Sequence, residues 1–404
     1  MTVVAGAGSN RTRRPKDRKE QIARVSAEAF SKFGYHAVSM EDIAARVGVS
    51  AASLYRHYSG KYELFRDAVL TLGLELVAAT DFLDETVADP GAAWDRAVRA
   101  LIDTAIKNRA SGGLYRWEAR YLDEADQLAL NAQIKLVNRR LQRPLLALRP
   151  ALTSRDRWKL SAAVLSVIGS VTDHRARLGG KDIRATLGAI AAALRDTELP
   201  VAGDPSQAAP ILGAVGSAAG EYESILREAM LLFNDNGYAE TAMEDIAVAA
   251  GISTSGIYRF FSGKAAILAA AYHRAADRVS GDVSTILATT SDPGQAVDRL
   301  IDAYVRRSFD HPELASVYYA DRRNVPVEDQ VVLHNIQCST VEAWVRQVVA
   351  TRPALDAVQA RFAVHAAFAL VVDMGRLVHY DRTEESQALV RHLMRVTLLE
   401  TQPV

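Results

Sequence analysis

Two nine-residue stretches, SLYRHYSGK (Ser53–Lys61) and GIYRFFSGK (Gly256–Lys264), each set a Tyr-Arg pair three residues ahead of Ser-Gly-Lys. An arginine such as Arg56 can grip both acceptors on the major-groove edge of a guanine. Ser53 can donate to or accept from a base edge, and Ala51 or Ala52 can meet a thymine methyl while letting the backbone come close. Lys61 stands where a helix would start, so its charge would add to exposed N–H groups that already favour an anion. This is recognition chemistry. The rest of the chain contains no Gly-rich phosphate loop, Gly-x-Ser-x-Gly, His-Glu-x-x-His or Cys-x-x-Cys. We therefore expect no enzyme and no cofactor. A metal role for Asp173, His174, His365 and Asp373 is the weaker reading beside buried, satisfied side chains.

These stretches belong to a long duplication. Shifted by 203 positions, the sequence overlays itself with 18 identities in the 45 positions from 20 to 64 and no gap. Glu20, Phe30, Gly34, Tyr35, Met40–Ala44, Gly48, Ser50, Tyr55 and Arg56 recur as Glu223, Phe233, Gly237, Tyr238, Met243–Ala247, Gly251, Ser253, Tyr258 and Arg259. The same shift relates Asp-Pro-Gly at Asp89 to that at Asp292, and Arg-Pro-Ala-Leu at Arg149 to that at Arg352. Two copies of one domain are implied; the period is far too long for a solenoid.

The elements that must position Arg56 read as helices. Ile22, Val25, Ala29 and Phe33 fall on one helical face, and Gly34 stops that helix by taking a positive φ. Ser39 with Asp42 looks like an N-terminal capping pair, and in the second copy Thr241 with Glu244. A short helix, MEDIAARV, places Ile43, Ala44 and Val47 inward. The turn Gly48-Val49-Ser50 leads to a second short helix, AASLYRHY, in which Leu54 and Tyr58 pack inward. Helix, glycine turn and helix make a helix-turn-helix, whose second member would enter the major groove. Leu64, Phe65, Ala68, Val69, Leu72 and Leu76 then stripe a long helix that Ser59 could cap.

FGYHAVSMEDIAARVGVSAASLYRHYSGKYELF and NGYAETAMEDIAVAAGISTSGIYRFFSGKAAIL both resemble the DNA-binding domain of the TetR/AcrR family of transcriptional regulators. The likeness covers about 50 residues per copy. It implies an all-α protein of two consecutive TetR-like units, each a helix-turn-helix domain followed by a helical ligand and dimerisation domain. Tyr55 and His57 would contact phosphates. The matching residues of the second copy are Thr254, Ser255, Tyr258, Arg259 and Lys264. Family members act as homodimers, so a fused pair could be its own dimer, with further dimerisation of the fused chain left open. Its two reading helices would match one DNA turn if they stood about 34–36 Å apart.

The copies differ in front of the motif. Arg11–Lys19 holds six basic residues in nine, among them Arg13, Arg14 and Lys16, an arm suited to phosphates or the minor groove. Ala214–Tyr222 holds none, and Phe260 replaces His57. The first copy is therefore the expected electrostatic anchor. Residues 1–203 carry 31 Lys and Arg against 23 Asp and Glu, +8, and residues 204–404 the reverse balance, −8. Such a split points to a polyanion for one half.

Each copy ends in two apolar helices: Lys159–Val171 with Ile183, Leu187, Ile190 and Leu194, and Arg361–Val372 with Leu389, Leu393 and Val396. Helices apolar on all sides must be buried, and a four-helix bundle between copies would bury them. The middle helices carry Trp94, Tyr115, Trp117 and Tyr121 in one copy and Tyr304, Tyr318, Tyr319 and Phe362 in the other. These are candidates for a small apolar or lipid-like (acyl) effector site; plain core is the competing reading.

The domain plan is an arm (1–16), a helix-turn-helix (17–62), a helical domain (63–197), a Pro- and Gly-bearing linker (198–220), a second helix-turn-helix (221–265) and a second helical domain (266–404). The linker reaches at most roughly 76 Å. One cysteine, Cys338, rules out a disulfide framework within the chain. The N-terminus lacks a signal-peptide pattern, and the longest apolar run noted, Leu160–Val171, is too short for a membrane span. A cytoplasmic transcriptional repressor is the expectation, with a double-stranded DNA operator and a small effector as partners and no membrane. The alternative is a ligand- or partner-binding helical protein in which one or both helix-turn-helix units no longer read DNA.

Overall fold

A computed structural model describes residues 15–85, 88–200 and 220–401. Among the described residues there are eighteen α-helices and no strand. The first copy contributes α1 (Pro15–Phe33), α2 (Met40–Val47), α3 (Ala51–Tyr55), α4 (Lys61–Ala79), α5 (Pro90–Lys107), α6 (Gly113–Trp117), α7 (Glu124–Leu148), α8 (Ser154–Gly169) and α9 (Gly180–Asp196). The second repeats the order: α10 (Glu221–Asp235), α11 (Met243–Ala249), α12 (Thr254–Ile257), α13 (Lys264–Thr289), α14 (Pro293–Asp310), α15 (Pro312–Asp321), α16 (Val327–Thr351), α17 (Ala357–Leu377) and α18 (Glu384–Leu399). Six of the nine helix pairs start 203 positions apart, as the motifs do.

The short repeated motifs explain why this register persists. Asp89 accepts from the amides of Gly91 (2.9 Å) and Ala92 (3.0 Å), and Asp292 from that of Gln295 (2.7 Å), each with proline at the first helical position. Asp-Pro-Gly is thus a helix start. Arg-Pro-Ala-Leu is a clamp. Arg149 donates to the carbonyls of Arg195 (2.9 Å) and Thr197 (2.7 Å), and Arg352 to those of Leu398 (3.0 Å) and Thr401 (2.5 Å). In both copies one arginine satisfies carbonyls that the last helix leaves open at its C-terminus.

The chain forms two compact bodies. One comprises the described part of Met1–Gly73 with Ala110–Leu130; the other is Leu74–Arg109 with Asn131–Val404. This division differs from the repeat-based domain plan, because the second body holds the late helices of the first copy together with the whole second copy. In that body α8 packs on α9 and α17, α17 on α18, and α9 on both α17 and α18. A single apolar core runs through both copies, with Leu160, Val164, Leu187 and Leu194 beside Val364, Leu370, Leu393 and Val396, each 0 % exposed. α17 is long and apolar enough for a membrane span, longer than the run singled out in the sequence, yet 67 % of that window is buried inside the protein.

Polar links cross the same core. Ser166 donates to Asp373 at 2.6 Å, and Thr197 Oγ1 lies 2.7 Å from His392 Nε2. The His174 and His365 rings stack at 4.1 Å, 7° from parallel, with Phe362 edge-on to His174 at 4.7 Å. Burial, then the neighbouring His365, Arg109 and Arg175, pushes His174 down to about 2. Burial, with Arg361 and Arg109, pushes His365 down to about 4 against a weaker opposing effect of Glu342. Both rings stay neutral when folded, whereas unfolded histidine takes up protons below about pH 6.5. Folded stability therefore falls as pH drops from about 6.5 towards about 4, by at most about 1.4 kcal/mol per pH unit for each ring. Urea midpoints measured at about pH 7 and about pH 5 should differ less in His365→Gln than in the parent chain.

Candidate nucleic-acid interface

Three helices and two turns hold the candidate reading residues. α1 buries Ile22, Ala23, Ser26, Ala27, Ala29 and Phe30. The face is therefore rotated from the expected one: Val25 and Phe33 lie at its margin. Ser26 can be buried because its hydroxyl donates to Ile22 O at 2.7 Å. Phe33 is covered by the Arg46 guanidinium, 4.6 Å from its ring centroid. Gly34 (φ 85) and Gly48 (φ 75) end α1 and α2 in the left-handed region, as Gly237 (φ 96) and Gly251 (φ 70) do in the second copy. A side chain at these four positions would be strained.

The first copy's cap is as expected. Asp42 N donates to Ser39 Oγ (3.1 Å) and Ser39 N to Asp42 Oδ2 (2.9 Å). Hydrogen bonds from Ser39 hold the Asp42 carboxyl below its ordinary pKa. The second copy departs from the expected Thr241–Glu244 pair. Thr241 is 1 % exposed and its hydroxyl donates to Gly237 O at 2.8 Å. The N-terminal position is taken by Ala242, whose amide donates to Asp245 at 2.8 Å. Half of the reciprocal pair is missing there, because alanine has no hydroxyl to return. Ser59 likewise does not accept from α4; its amide and hydroxyl both donate to Glu63, at 2.7 and 2.8 Å.

α3 ends at Tyr55, three residues short of the expected helix AASLYRHY, and α12 at Ile257; each short helix with the turn after it presents an equivalent surface. Ser50 accepts from Ser53 N (3.2 Å) and Ser253 from Gly256 N (3.1 Å). Leu54 and Tyr58, like Ile257 and Phe261, are buried. Tyr55, Arg56 and His57 are exposed, as are Tyr258, Arg259 and Phe260. Ala52 and Ser255 are exposed, while Ala51, Ser53 and Thr254 are half-buried. Arg13 and Arg14 lie outside the described residues. Lys16 falls in the first turn of α1, where only the backbone is described.

Lys61 and Lys264 have a structural partner. Lys61 Nζ donates to Tyr35 O at 3.1 Å and lies 4.5 Å from the Tyr35 ring centroid. Lys264 Nζ donates to Tyr238 O at 2.6 Å and lies 4.8 Å from that ring. Burial lowers the pKa of both ammonium groups. The repeated lysine thus ties the start of α4 or α13 to the turn after α1 or α10. Sequence reasoning gave it only phosphates or water.

The effector candidates scatter. Trp94 (1 % exposed) and Phe362 (1 %) are core residues of the second body. Tyr121, in the first body, stacks on Tyr35 at 5.6 Å and sits edge-on to His36 at 4.8 Å. Tyr115 is half-buried and Trp117 buried in the same segment. Tyr318 donates to Gln337 at 2.7 Å and lies edge-on to Tyr319. Only Tyr304 of this group lines the small recess between α13, α14 and α16, with Val283, Leu300, Trp344 and the Asp282–Arg307 ion pair; its enclosed space holds about one water molecule. Trp344 Nε1 is buried there without a hydrogen-bond partner. Among the described residues no three His, Cys, Asp or Glu side chains cluster as metal ligands.

The sequence profile of the bacterial regulatory proteins of the tetR family matches residues 22–68 and again 225–271, the two windows that carry these surfaces. The chain carries two tetR-family domains in tandem. It is 37 % identical over 134 residues to the HTH-type transcriptional activator FasR of Mycolicibacterium smegmatis, a match to 32 % of this chain and 59 % of that protein. It is 30 % identical over 100 residues to an uncharacterised HTH-type transcriptional regulator of Mycobacterium tuberculosis, 25 % of this chain and 50 % of that one. The chain thus spans half to three-fifths of the length of these curated relatives. The TetR-family regulator PfmR of Thermus thermophilus aligns over 47 % of this chain and 100 % of its own, at 23 % identity and a TM-score of 0.40.

The two TetR-family caps differ by one hydroxyl, which fixes the sign of a reciprocal exchange. Ser39→Ala should destabilise the α2 end of the first head by about 0.5–2 kcal/mol, and Ala242→Ser should stabilise α11 by a similar amount. Amide hydrogen exchange of the two helices measures both.

Proposed function

We propose that the chain is a sequence-specific DNA-binding transcriptional regulator of the cytoplasm, a repressor by its working sign, in which one polypeptide supplies both reading heads. The observation that carries this reading is the repeated division of α3 and α12 together with the turn that follows each. Leu54, Tyr58, Ile257 and Phe261 are buried, while Tyr55, Arg56, Tyr258 and Arg259 face outward. A purely structural helix pair would have no reason to keep an arginine outward at the same position twice. Arg56 has no described ion-pair or hydrogen-bond partner, so its five donors are available for a guanine edge. Tyr55, His57 and the basic residues ahead of α1 supply phosphate contacts. The shared core of α8, α9, α17 and α18 supports an intramolecular pseudo-dimer.

The effector belongs in the recess beside Tyr304 and Trp344. Val283 and Leu300 give it apolar walls, and Trp344 Nε1 offers one unused donor. The enclosed space holds only about one water, so a small, largely apolar molecule with an acceptor atom must displace Tyr304 or Trp344 to enter beside the Asp282–Arg307 pair. For a tenfold change in DNA affinity it must favour the released state by about 1.4 kcal/mol.

The test starts with selection of a duplex from a randomised pool by the intact chain. Arg56→Ala should weaken binding to the selected duplex by about 1–3 kcal/mol and leave binding to random duplex nearly unchanged. Equal losses on both would refute base reading. A reporter placed behind the selected duplex reads the sign: reduced output supports repression, and increased output makes the chain an activator.

A further inference from the structure

The two reading arginines stand in opposite electrostatic settings. Arg259 Nη2 lies 3.6 Å from Glu221 Oε2, and its guanidinium is 6.0 Å from the Phe260 ring centroid. The 203-residue shift places Glu221 opposite Arg18. Arg18 donates to Gln21 (3.4 Å), and the adjacent Lys19 pairs with Asp67 (3.3 Å) above the Tyr58 ring. Where the first copy sets Arg18 and Lys19 on α1, the second sets Glu221 and Tyr222 at the start of α10. The contrast extends over the whole head. Residues 18–61 hold seven Lys and Arg against four Asp and Glu, +3 net; the aligned residues 221–264 hold three against seven, −4 net.

We infer that Glu221 is a built-in restraint on Arg259, which makes base reading by the second head conditional on prior anchoring by the first. The inference rests on the regulatory reading above. DNA repels a head carrying net negative charge, so on its own the second head gains little from the phosphates. Its arginine must also leave a carboxylate before it can reach a guanine edge. The pair is exposed, 70 % on the arginine and 54 % on the glutamate, so solvent screens it and the contact is weak enough to exchange. A head held in the same molecule as an anchored one meets DNA at high effective concentration, and there a weak restraint can be overcome. Glu221 therefore sets how much the second half-site adds, and is a positioning residue for Arg259.

The test is a double-mutant cycle on the intact chain and the selected duplex, at fixed salt, with helical content checked for each variant. Glu221→Gln should tighten binding about three- to tenfold in the parent background, and Arg259→Ala should cancel most of that gain. Glu221→Arg should also steepen the dependence of log K on log salt by about 0.9, one extra phosphate contact. An equal gain with and without Arg259 would reduce Glu221 to a general field effect and overturn the restraint. No gain at all would overturn it too. Failure of the chain to prefer any duplex would bring down the regulatory reading and the restraint together, an outcome separable from these because the parent chain alone reveals it.

Discussion

Helices as apolar as α8 and α17 have no face to offer to water, and each solves that problem with the other copy. Val164 and Val167 from one repeat, and Val364, Leu370 and Val371 from the other, are fully buried in one continuous core. Each buried side chain of this size contributes about 1.5–3 kcal/mol relative to exposure. A free copy would expose that surface, so the copies are stable as a pair. Polar partners within the core, Ser166 with Asp373 and the stacked His174 and His365, restrict how the faces can meet. An unsatisfied buried carboxylate or a charged imidazole costs more than most sliding motions would gain.

Pairing inside one chain has two consequences. Contact between the late helices of the two copies does not depend on protein concentration, since both belong to one chain. The two surfaces can also diverge independently, because a change in one is no longer copied into the other. In a homodimer every substitution appears in both reading heads. Here His57 faces solvent in one copy and Phe260 in the other, and the aligned positions 18 and 221 carry opposite charge. The framework beneath has changed much less. The lysine-to-carbonyl tie, the glycine turns and the arginine clamp all recur with the same geometry. What is retained fixes backbone direction, and what has drifted is side-chain chemistry on the outside.

The sequence makes that framework legible because backbone constraints leave few substitutes. Only glycine takes a φ of 75° without strain, so Gly48 and Gly251 announce their turns. Asp-Pro announces a helix start for a similar reason. The α1 face is less legible, since Val25 and Phe33 satisfy helical spacing as well as Ser26 and Phe30 do. Only the Ser26 hydroxyl bond to Ile22 O makes the second set buriable. The cap at α11 misleads because a threonine one position early has the right chemistry but lies in the core. The effector candidates are the least legible. Trp94 and Tyr304 are both aromatic residues at helical spacing, and nothing local separates a core ring from one beside a recess. The Glu221–Arg259 contact joins residues 38 positions apart, with its glutamate ahead of the stretch where the repeat is strongest.

The recess and the paired core share helices, which bears on how one copy's occupancy could reach the other. Tyr304 stacks on Phe368 of α17 at 4.5 Å, and Trp344 lies edge-on to the same ring at 5.3 Å. α17 in turn packs on α8 of the first copy. Close-packed interiors do not deform smoothly. A molecule displacing Tyr304 or Trp344 would therefore act on Phe368, and through α17 on the surface that joins the copies.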